Sequence, residues 1–512
     1  MTRVSKTIKN ARVNLIYYVC FLFVSFFSRK MFLEYLGVDF IGLTATLNGV
    51  LGMLSLAELG IGTAVGYALY KPIYDKDNDE INKIVSLLGY LYKKIGFVIL
   101  FFGIAISSVI PLIIVDTTFN YWVIFFAFLS FLFSSLLGYF FNYHQVLLFS
   151  DQKNYIVTKY YQSVLILKLL VQISLVYLFQ NYFIWIIVEL LFSIFYSVLL
   201  RQRVKKEYPF LSLRAKATSN ILKEYPEVIK KVKQIFLQKV SYLVLTGTDN
   251  ILIYAFANLK AVAFVGNYQL IISSIQVLAG TIFSGTSAAI GNVVAEGNIK
   301  NTKKIFWEMM AIRHFIASVL FVAVYFLIDK FIVLWLGVEF ILDKDLVVLM
   351  LIILVLVQIR FPVMNFLNAY GLFSDVWASI SETILNLLIS LVLGYFWGIR
   401  GIFYGTIISM GLLVLAWKPY FLYKNGFKMP VYNYYRGQIA LILPFIIVFP
   451  IVQFYFSSQI LAIESYFDWI FVGFKLFIFT VIFFVIGFLI FSQGFRILMN
   501  RVLLLLRKKV KI

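Results

Sequence analysis

Stretches of about 20 apolar residues recur from one end of this chain to the other, and each is long enough to cross a hydrocarbon layer of about 30 Å. In lipid every backbone polar group must be satisfied internally, which leaves only helices and closed barrels. Segments of this length select helices. Spans are expected near 13–33, 40–69, 94–115, 121–147, 157–179 and 182–200, then near 234–257, 262–293, 309–329, 346–370, 376–396, 401–422, 437–456 and 469–490. With 62% hydrophobic and 13% charged residues, the chain lies outside the soluble range. The expected fold class is therefore an all-α integral membrane protein of about fourteen transmembrane helices.

The longest polar interruption, Arg201 to Lys239, carries eleven Lys or Arg against three Glu. Short loops this basic stay cytoplasmic, so this stretch fixes the topology. An even number of spans then places both termini on the same, inner side. Under this assignment about 36 of the 45 Lys and Arg are cytoplasmic, about 6 external and about 3 within spans, as the positive-inside rule requires. The first apolar stretch is too long for a signal peptide and lacks a small-residue cleavage site; it is expected to be a retained span. The net charge of +21 invites a nucleic-acid reading, but it sits between spans, where it orients the chain and meets anionic lipid. No nucleic-acid partner is expected. The tail, RILMNRVLLLLRKKVKI, has the pattern of a basic amphipathic helix on the inner leaflet.

The basic stretch divides the chain into two hydrophobic lobes that carry an internal repeat. LLFSD at Leu147–Asp151 returns as GLFSD at Gly371–Asp375, and the same offset of 224 carries Phe40, Ile41 and Gly42 onto Phe264, Val265 and Gly266. Two matches in one register argue for duplication of a six-span unit. The expected organisation is an N-terminal lobe over 1–200, a connector over 201–233, a C-terminal lobe over 234–425, two further spans within 426–490 and the tail over 491–512.

Chemistry is sought where the membrane makes it costly. A charge at mid-bilayer costs roughly 2.5–3.5 kcal/mol on insertion scales, so it normally faces a partner or a wet cavity. Arg360 lies deepest in the tenth span, two residues before Pro362, with Arg29, Lys168 and Asn250 as further candidates for a substrate cavity. Glu58, Asp249 and Glu382 are the candidate coupling or cavity carboxylates. Cys20 is the sole cysteine, and His144 and His314 are read as helix-end residues. No metal-ligand cluster, phosphate loop or catalytic constellation emerges, so neither an enzyme nor a bound cofactor is expected.

The segments LGVDFIGL, LSLAELGIGTAVGYALYKPI, TDNILI, AAIGNVVAEGN, FIVLWLG, GLFSD and GIRGIFYGTIIS ahead of KPYFLYKNGF resemble the polysaccharide flippases (Wzx type) of the MOP superfamily, which also includes the MATE exporters and the lipid II flippases. The resemblance runs from about Arg12 to Lys428. It implies two pseudo-symmetric lobes of six helices plus two C-terminal helices. It also implies alternating access and an undecaprenyl-diphosphate-linked oligosaccharide as cargo, as in O-antigen or capsule synthesis in a bacterial inner membrane. Polymerase and glycosyltransferases of the same pathway would be its partners, and Na+ or H+ its coupling ion. A MATE-type exporter of small molecules is the alternative. A membrane glycan polymerase or glycosyltransferase is a distant third, because the external loops are too short for a catalytic domain.

Overall fold

In the computed structural model of the chain, the described residues are 3–54, 61–114, 119–151, 153–212, 225–226, 248–282, 290–291, 293–294, 296–372 and 375–510. They are helical, and twelve of their helices are long and apolar enough to cross a membrane. These twelve take up twelve of the fourteen expected spans. The second span appears as two helices, Val38–Leu54 and Ile61–Asp75. Of the seventh, only Asp249–Phe256 is described. Packing groups the chain into two compact units, Met1–Gly266 and Asn267–Ile512.

The first unit holds α1 (Arg3–Leu36), α2 (Val38–Leu54), α3 (Ile61–Asp75), α4 (Asn78–Ile113), α5 (Tyr121–Phe140), the short α6 (Gln145–Ser150), α7 (Asn154–Phe179), α8 (Tyr182–Glu207), α9 (Asp249–Phe256) and the opening of α10 (Leu259–Ile282). Helix α1 packs on α7, α4 on α5, and α8 on both α5 and α7. The ends are set by polar side chains where the apolar runs stop. Asp77 caps α4 by accepting from the Glu80 amide at 2.9 Å, and Asn181 caps α8 by accepting from Phe183 and Ile184. Such caps satisfy orphan amides and contribute about 1 kcal/mol each.

The two members of the FxG repeat are both points of close approach. A Cβ on Gly42 would lie 2.0 Å from the Leu259 carbonyl oxygen, and one on Gly266 would lie 3.1 Å from Arg29 Nη2. Small residues let membrane helices come this near.

The second unit is built on α11 (Ile299–Trp335), with α12 (Lys344–Ala369), α13 (Val376–Trp397), α14 (Ile399–Phe427), α15 (Tyr432–Leu461), α16 (Tyr466–Phe491) and α17 (Gln493–Val510). At 1.5 Å per residue α11 runs about 55 Å, well beyond the hydrocarbon layer. It packs against α12, α15, α16 and α17. Its end carries Phe306 into an aromatic core with Phe366, Tyr423, Phe427 and Tyr434. Because α11 begins at Ile299, ten residues before the expected span, His314 lies well inside it. His314 is buried and its Nδ1 is 2.8 Å from the Met310 carbonyl oxygen, so its reading as a helix-end residue does not hold. Helices α13 and α14 meet through Gly401 and Gly405, where a Cβ would come within 2.0 Å of Leu393 O and 2.2 Å of Ser390 Oγ.

Helix α17 docks on its own unit. Phe495 is 2% exposed between Phe315 and Phe488. Gly494 abuts the Trp307 backbone, and Arg501 Nη2 lies 3.0 Å from Glu308 Oε1.

Candidate functional site

Charges held within spans are costly unless paired, and each unit holds one such pair between neighbouring spans. In the second unit Arg360 on α12 makes a two-pronged contact with Glu382 on α13: Nη1 to Oε1 at 2.8 Å and Nη2 to Oε2 at 3.1 Å. The carboxylate side chain is 1% exposed, the guanidinium 25%. Glu382 also lies in the field of Lys418, whose Nζ is 2.7 Å from Asp375 Oδ2. Trp417 Nε1 donates to the same Asp375 oxygen at 3.3 Å. Four charges of alternating sign thus connect three consecutive helices. The segment that delivers Trp417 and Lys418 is irregular: Leu412–Trp417 and Tyr423–Phe427 are wound as π-helix around the α-helical Lys418–Leu422. Such widened turns are frequent at functional sites.

The first unit holds a second polar feature, a cavity of about 440 Å³ between α2, α5, α7 and α8. Lys168 and Glu189 face it, with Nζ and Oε1 2.6 Å apart. The other Glu189 oxygen accepts from Gln172 Nε2 at 3.2 Å. Around this neutral pair stand Asn48, Ser134, Asn142, Ser193 and Ser197, with Tyr161 and Tyr196 as aromatic wall. Asn142 Nδ2 donates to Ser197 Oγ at 3.0 Å. Among the described residues, Asn142 Oδ1 and Ser134 Oγ have no hydrogen-bond partner.

The remaining sequence candidates fall elsewhere. Arg29 on α1 donates from Nη2 to the Ala263 carbonyl at 3.1 Å. Asp249 and Asn250 open α9, and Asp249 Oδ1 is enclosed with no hydrogen-bond partner among the described residues. Glu58 lies outside the described residues. The structure therefore joins Arg360 to Glu382 and sets Lys168 on a cavity wall.

Three participants were missed from sequence: Glu189, Lys418 and the buried Arg313, which is 2% exposed. Arg313 Nη1 donates to Gln358 at 2.7 Å, and its guanidinium lies over the Phe361 ring at 3.7 Å. A usable signal existed for Glu189. Lys168 and Glu189 flank the turn at Gln180–Asn181 at comparable depths, as Arg360 and Glu382 flank the turn before Asp375. Opposite charges at matching depth on an antiparallel pair of spans point to each other.

Comparison with known proteins gives a consistent fold. No protein-family model matches the chain, and no curated protein matches it. Among solved structures, the chain is similar to an inward-facing multidrug resistance MATE family transporter of the MOP superfamily, with a TM-score of 0.63 and 13% identity, over 82% of this chain and 99% of that one. It is also similar to the lipid II flippase MurJ in an inward closed conformation, with a TM-score of 0.61 and 14% identity, over 92% of this chain and 98% of that one. A third is the MATE multidrug transporter DinF-BH, with a TM-score of 0.54 and 15% identity, over 82% of this chain and 94% of that one. At these identities the likeness establishes the fold: an all-helical, multi-pass membrane protein of MATE-like architecture.

Proposed function

We propose that the chain is a flippase. It carries an oligosaccharide on an undecaprenyl diphosphate carrier from the inner to the outer leaflet by alternating access, for synthesis of a cell-surface polysaccharide such as O-antigen or capsule. The observation that carries this reading is the asymmetry of the Arg360–Glu382 pair. Its carboxylate is sealed and its guanidinium is partly exposed. A ligand reaching this depth meets the cation, and a guanidinium offers the planar fork that holds phosphate bidentately. A drug exporter for cationic cargo would present the carboxylate instead. Likeness to a lipid II flippase over more of this chain than either multidrug transporter covers supports the same reading.

Two negative charges moving outward through an inside-negative potential of 100 mV gain up to roughly 4.6 kcal/mol, so the membrane potential can drive the step. Asp249 is the carboxylate proposed to take a coupling cation, Na+ or H+. The proposed setting is a bacterial inner membrane with both termini cytoplasmic, a reading supported by the basic loops and tail; anionic lipids and the polymerase and glycosyltransferases of the same pathway are its proposed partners.

The test is deletion of the gene followed by mass spectrometry of lipid-linked glycans. Accumulation of a diphosphate-linked glycan on the inner leaflet, relieved by the wild-type chain, is expected. Arg360→Ala should not relieve it, and Arg360→Lys should do so in part, because an ammonium keeps the charge without the fork. Absence of any accumulating glycan, or full relief by Arg360→Ala, would overturn the reading.

A further inference from the structure

The geometry points to the first-unit cavity as a glycosyl site, one that takes a neutral, polyhydroxylated ring rather than a phosphate or a cation. The assignment deepens the flippase reading, names where the sugar portion of the cargo docks, and rests on that reading.

Polar groups inside a bilayer are retained only when something satisfies them. Four spans here turn hydroxyls and amides toward one void of about 440 Å³, a volume in the range of small-molecule sites. Ser193 and Ser197 bond back to the Glu189 and Ser193 carbonyls at 2.9 and 3.0 Å, which leaves the Ser193 oxygen able to accept from a ligand, while the Ser197 oxygen already accepts from Asn142. Asn142, 8% exposed, spends its amide donor on Ser197. Its Oδ1 keeps no partner among the described residues, and neither does the Ser134 hydroxyl. An enclosed acceptor and an enclosed hydroxyl left over in this way are completed by something that brings its own hydroxyls.

Charge decides which class that is. The cavity's Lys and Glu cancel at 2.6 Å, and the second carboxylate oxygen is held by Gln172. A phosphate would have to take Lys168 from its carboxylate, and a cation would have to take Glu189 from its lysine. The pair is part-buried, and taking either ion from its partner leaves the other without its counter-charge on the cavity wall. A neutral polyol disturbs neither. The wall supplies the other half of a sugar's chemistry. The Tyr161 and Tyr196 rings meet edge to face at 5.3 Å and offer an apolar surface to the C–H face of a pyranose. Asn48 and Tyr161 are the exposed residues of this lining, and the proposed entry of the ring is past them.

The test uses the full-length protein in lipid nanodiscs with Cys20, its sole cysteine, replaced by Ser. Ser135→Cys on the cavity wall is reacted with neutral methyl methanethiosulfonate. Labelling is timed in the presence of methyl β-D-glucoside, methyl β-D-galactoside or methyl N-acetyl-β-D-glucosaminide. At least one glycoside should slow labelling severalfold, whereas choline and inorganic pyrophosphate should not. Asn142→Leu or Ser134→Ala added to this background should weaken the protecting glycoside about fivefold, the worth of one neutral hydrogen bond. Ser134→Ala is small enough to serve where Asn142→Leu fails to assemble.

Protection by no glycoside would show a cavity that holds water only, and equal protection by choline or pyrophosphate would show the wrong ligand class. Undiminished protection in both variants would show binding elsewhere. Each of these overturns the assignment. The outcome is separable from that of the flippase reading. Protection in a protein whose deletion accumulates no lipid-linked glycan sinks the transport reading alone. Accumulation without protection sinks the glycosyl site alone.

Discussion

Lys418 Nζ lies 2.7 Å from Asp375 Oδ2, with both side chains more than nine-tenths buried. Asp375 is the last residue of the GLFSD repeat. Its counterpart in the first unit, Asp151, is held in a related way: Lys153 Nζ is 2.7 Å away and the Tyr208 hydroxyl donates at 2.8 Å. Asp151 stands at the turn after α6, and Asp375 just ahead of α13. Each is gripped by a lysine and an aromatic donor, at least one of which comes from a later helix or its end: Tyr208 after α8, and Trp417 with Lys418 on α14. The sequence repeat therefore marks a corresponding latch in each unit.

Removing Lys418 leaves Asp375 as an uncompensated buried charge, which costs about 3–5 kcal/mol. Lys418→Met is expected to lose that much thermal stability, followed by the fluorescence of Trp417, which also bonds Asp375. Adding Asp375→Asn should recover a large part, since a neutral amide needs no counter-charge. A single variant as stable as wild type would show that the pair contributes nothing.

The first-unit latch predicts a pH response. Burial pulls the Lys153 ammonium down, but hydrogen bonds and charges from Asp151 and Glu207 outweigh it and raise the group above 10.5. A group raised on folding stabilises fully below its unfolded value and loses that contribution as pH climbs through the folded one. The latch should thus be insensitive to pH at neutrality and weaken only above about 10.5. The protection of the Tyr208 amide relative to its intrinsic, base-catalysed exchange rate should fall in that alkaline window in the wild type. In Lys153→Met exchange should already be fast at neutral pH, and a wild-type transition near neutrality would contradict the assignment.

Much of the fold was legible because the bilayer imposes it. Apolar length sets the spans, and the basic loops suggest their orientation. Depth was legible too: Arg360 and Lys168 are far from any helix end, so each needed a partner or a wet cavity. The partners were legible only as opposite charges on adjacent spans, not as contacts. Which face of α13 carries Glu382, and which face of α8 carries Glu189, depends on helix rotation, which packing sets and hydropathy does not record. His314 was misplaced for a related reason. The apolar window begins ten residues after α11 does, because the polar first turns of that helix run on beyond the lipid. The cavity was invisible since serines and tyrosines scattered over four spans carry no spacing signal.

The glycine pair on α14 can be tested by crowding. A Cβ on Gly405 would fall 2.2 Å from Ser390 Oγ and 2.6 Å from the Ser390 amide nitrogen. The backbone cannot swing aside as a side chain could. Gly405→Ala is expected to cost about 1–3 kcal/mol, the usual range for overpacking, and Gly405→Leu should abolish assembly. Gly411→Ala, where a Cβ meets nothing within 4 Å, is the control and should be silent. Equal thermal stability of Gly405→Ala and Gly411→Ala would rule out this crossing.

The last prediction separates what Arg360 does for the fold from what it does for cargo. Arg360→Met alone strands the sealed Glu382 carboxylate and should cost about 3–5 kcal/mol, so lost export in that variant proves little. Replacing both partners by apolar residues of similar size, Arg360→Met with Glu382→Leu, removes the pair together. Such replacements are often neutral, because the desolvation penalty of both ions disappears with their attraction. Lys418 does not become stranded in the double variant, since Asp375 still holds it at 2.7 Å. The double variant should therefore return to near wild-type thermal stability and reach the membrane in normal amount. If the partly exposed guanidinium recognises a diphosphate, export nevertheless stays absent and the lipid-linked glycan still accumulates on the inner leaflet. If the pair serves the fold alone, export returns together with stability. Measuring both quantities on the same membranes decides between these roles.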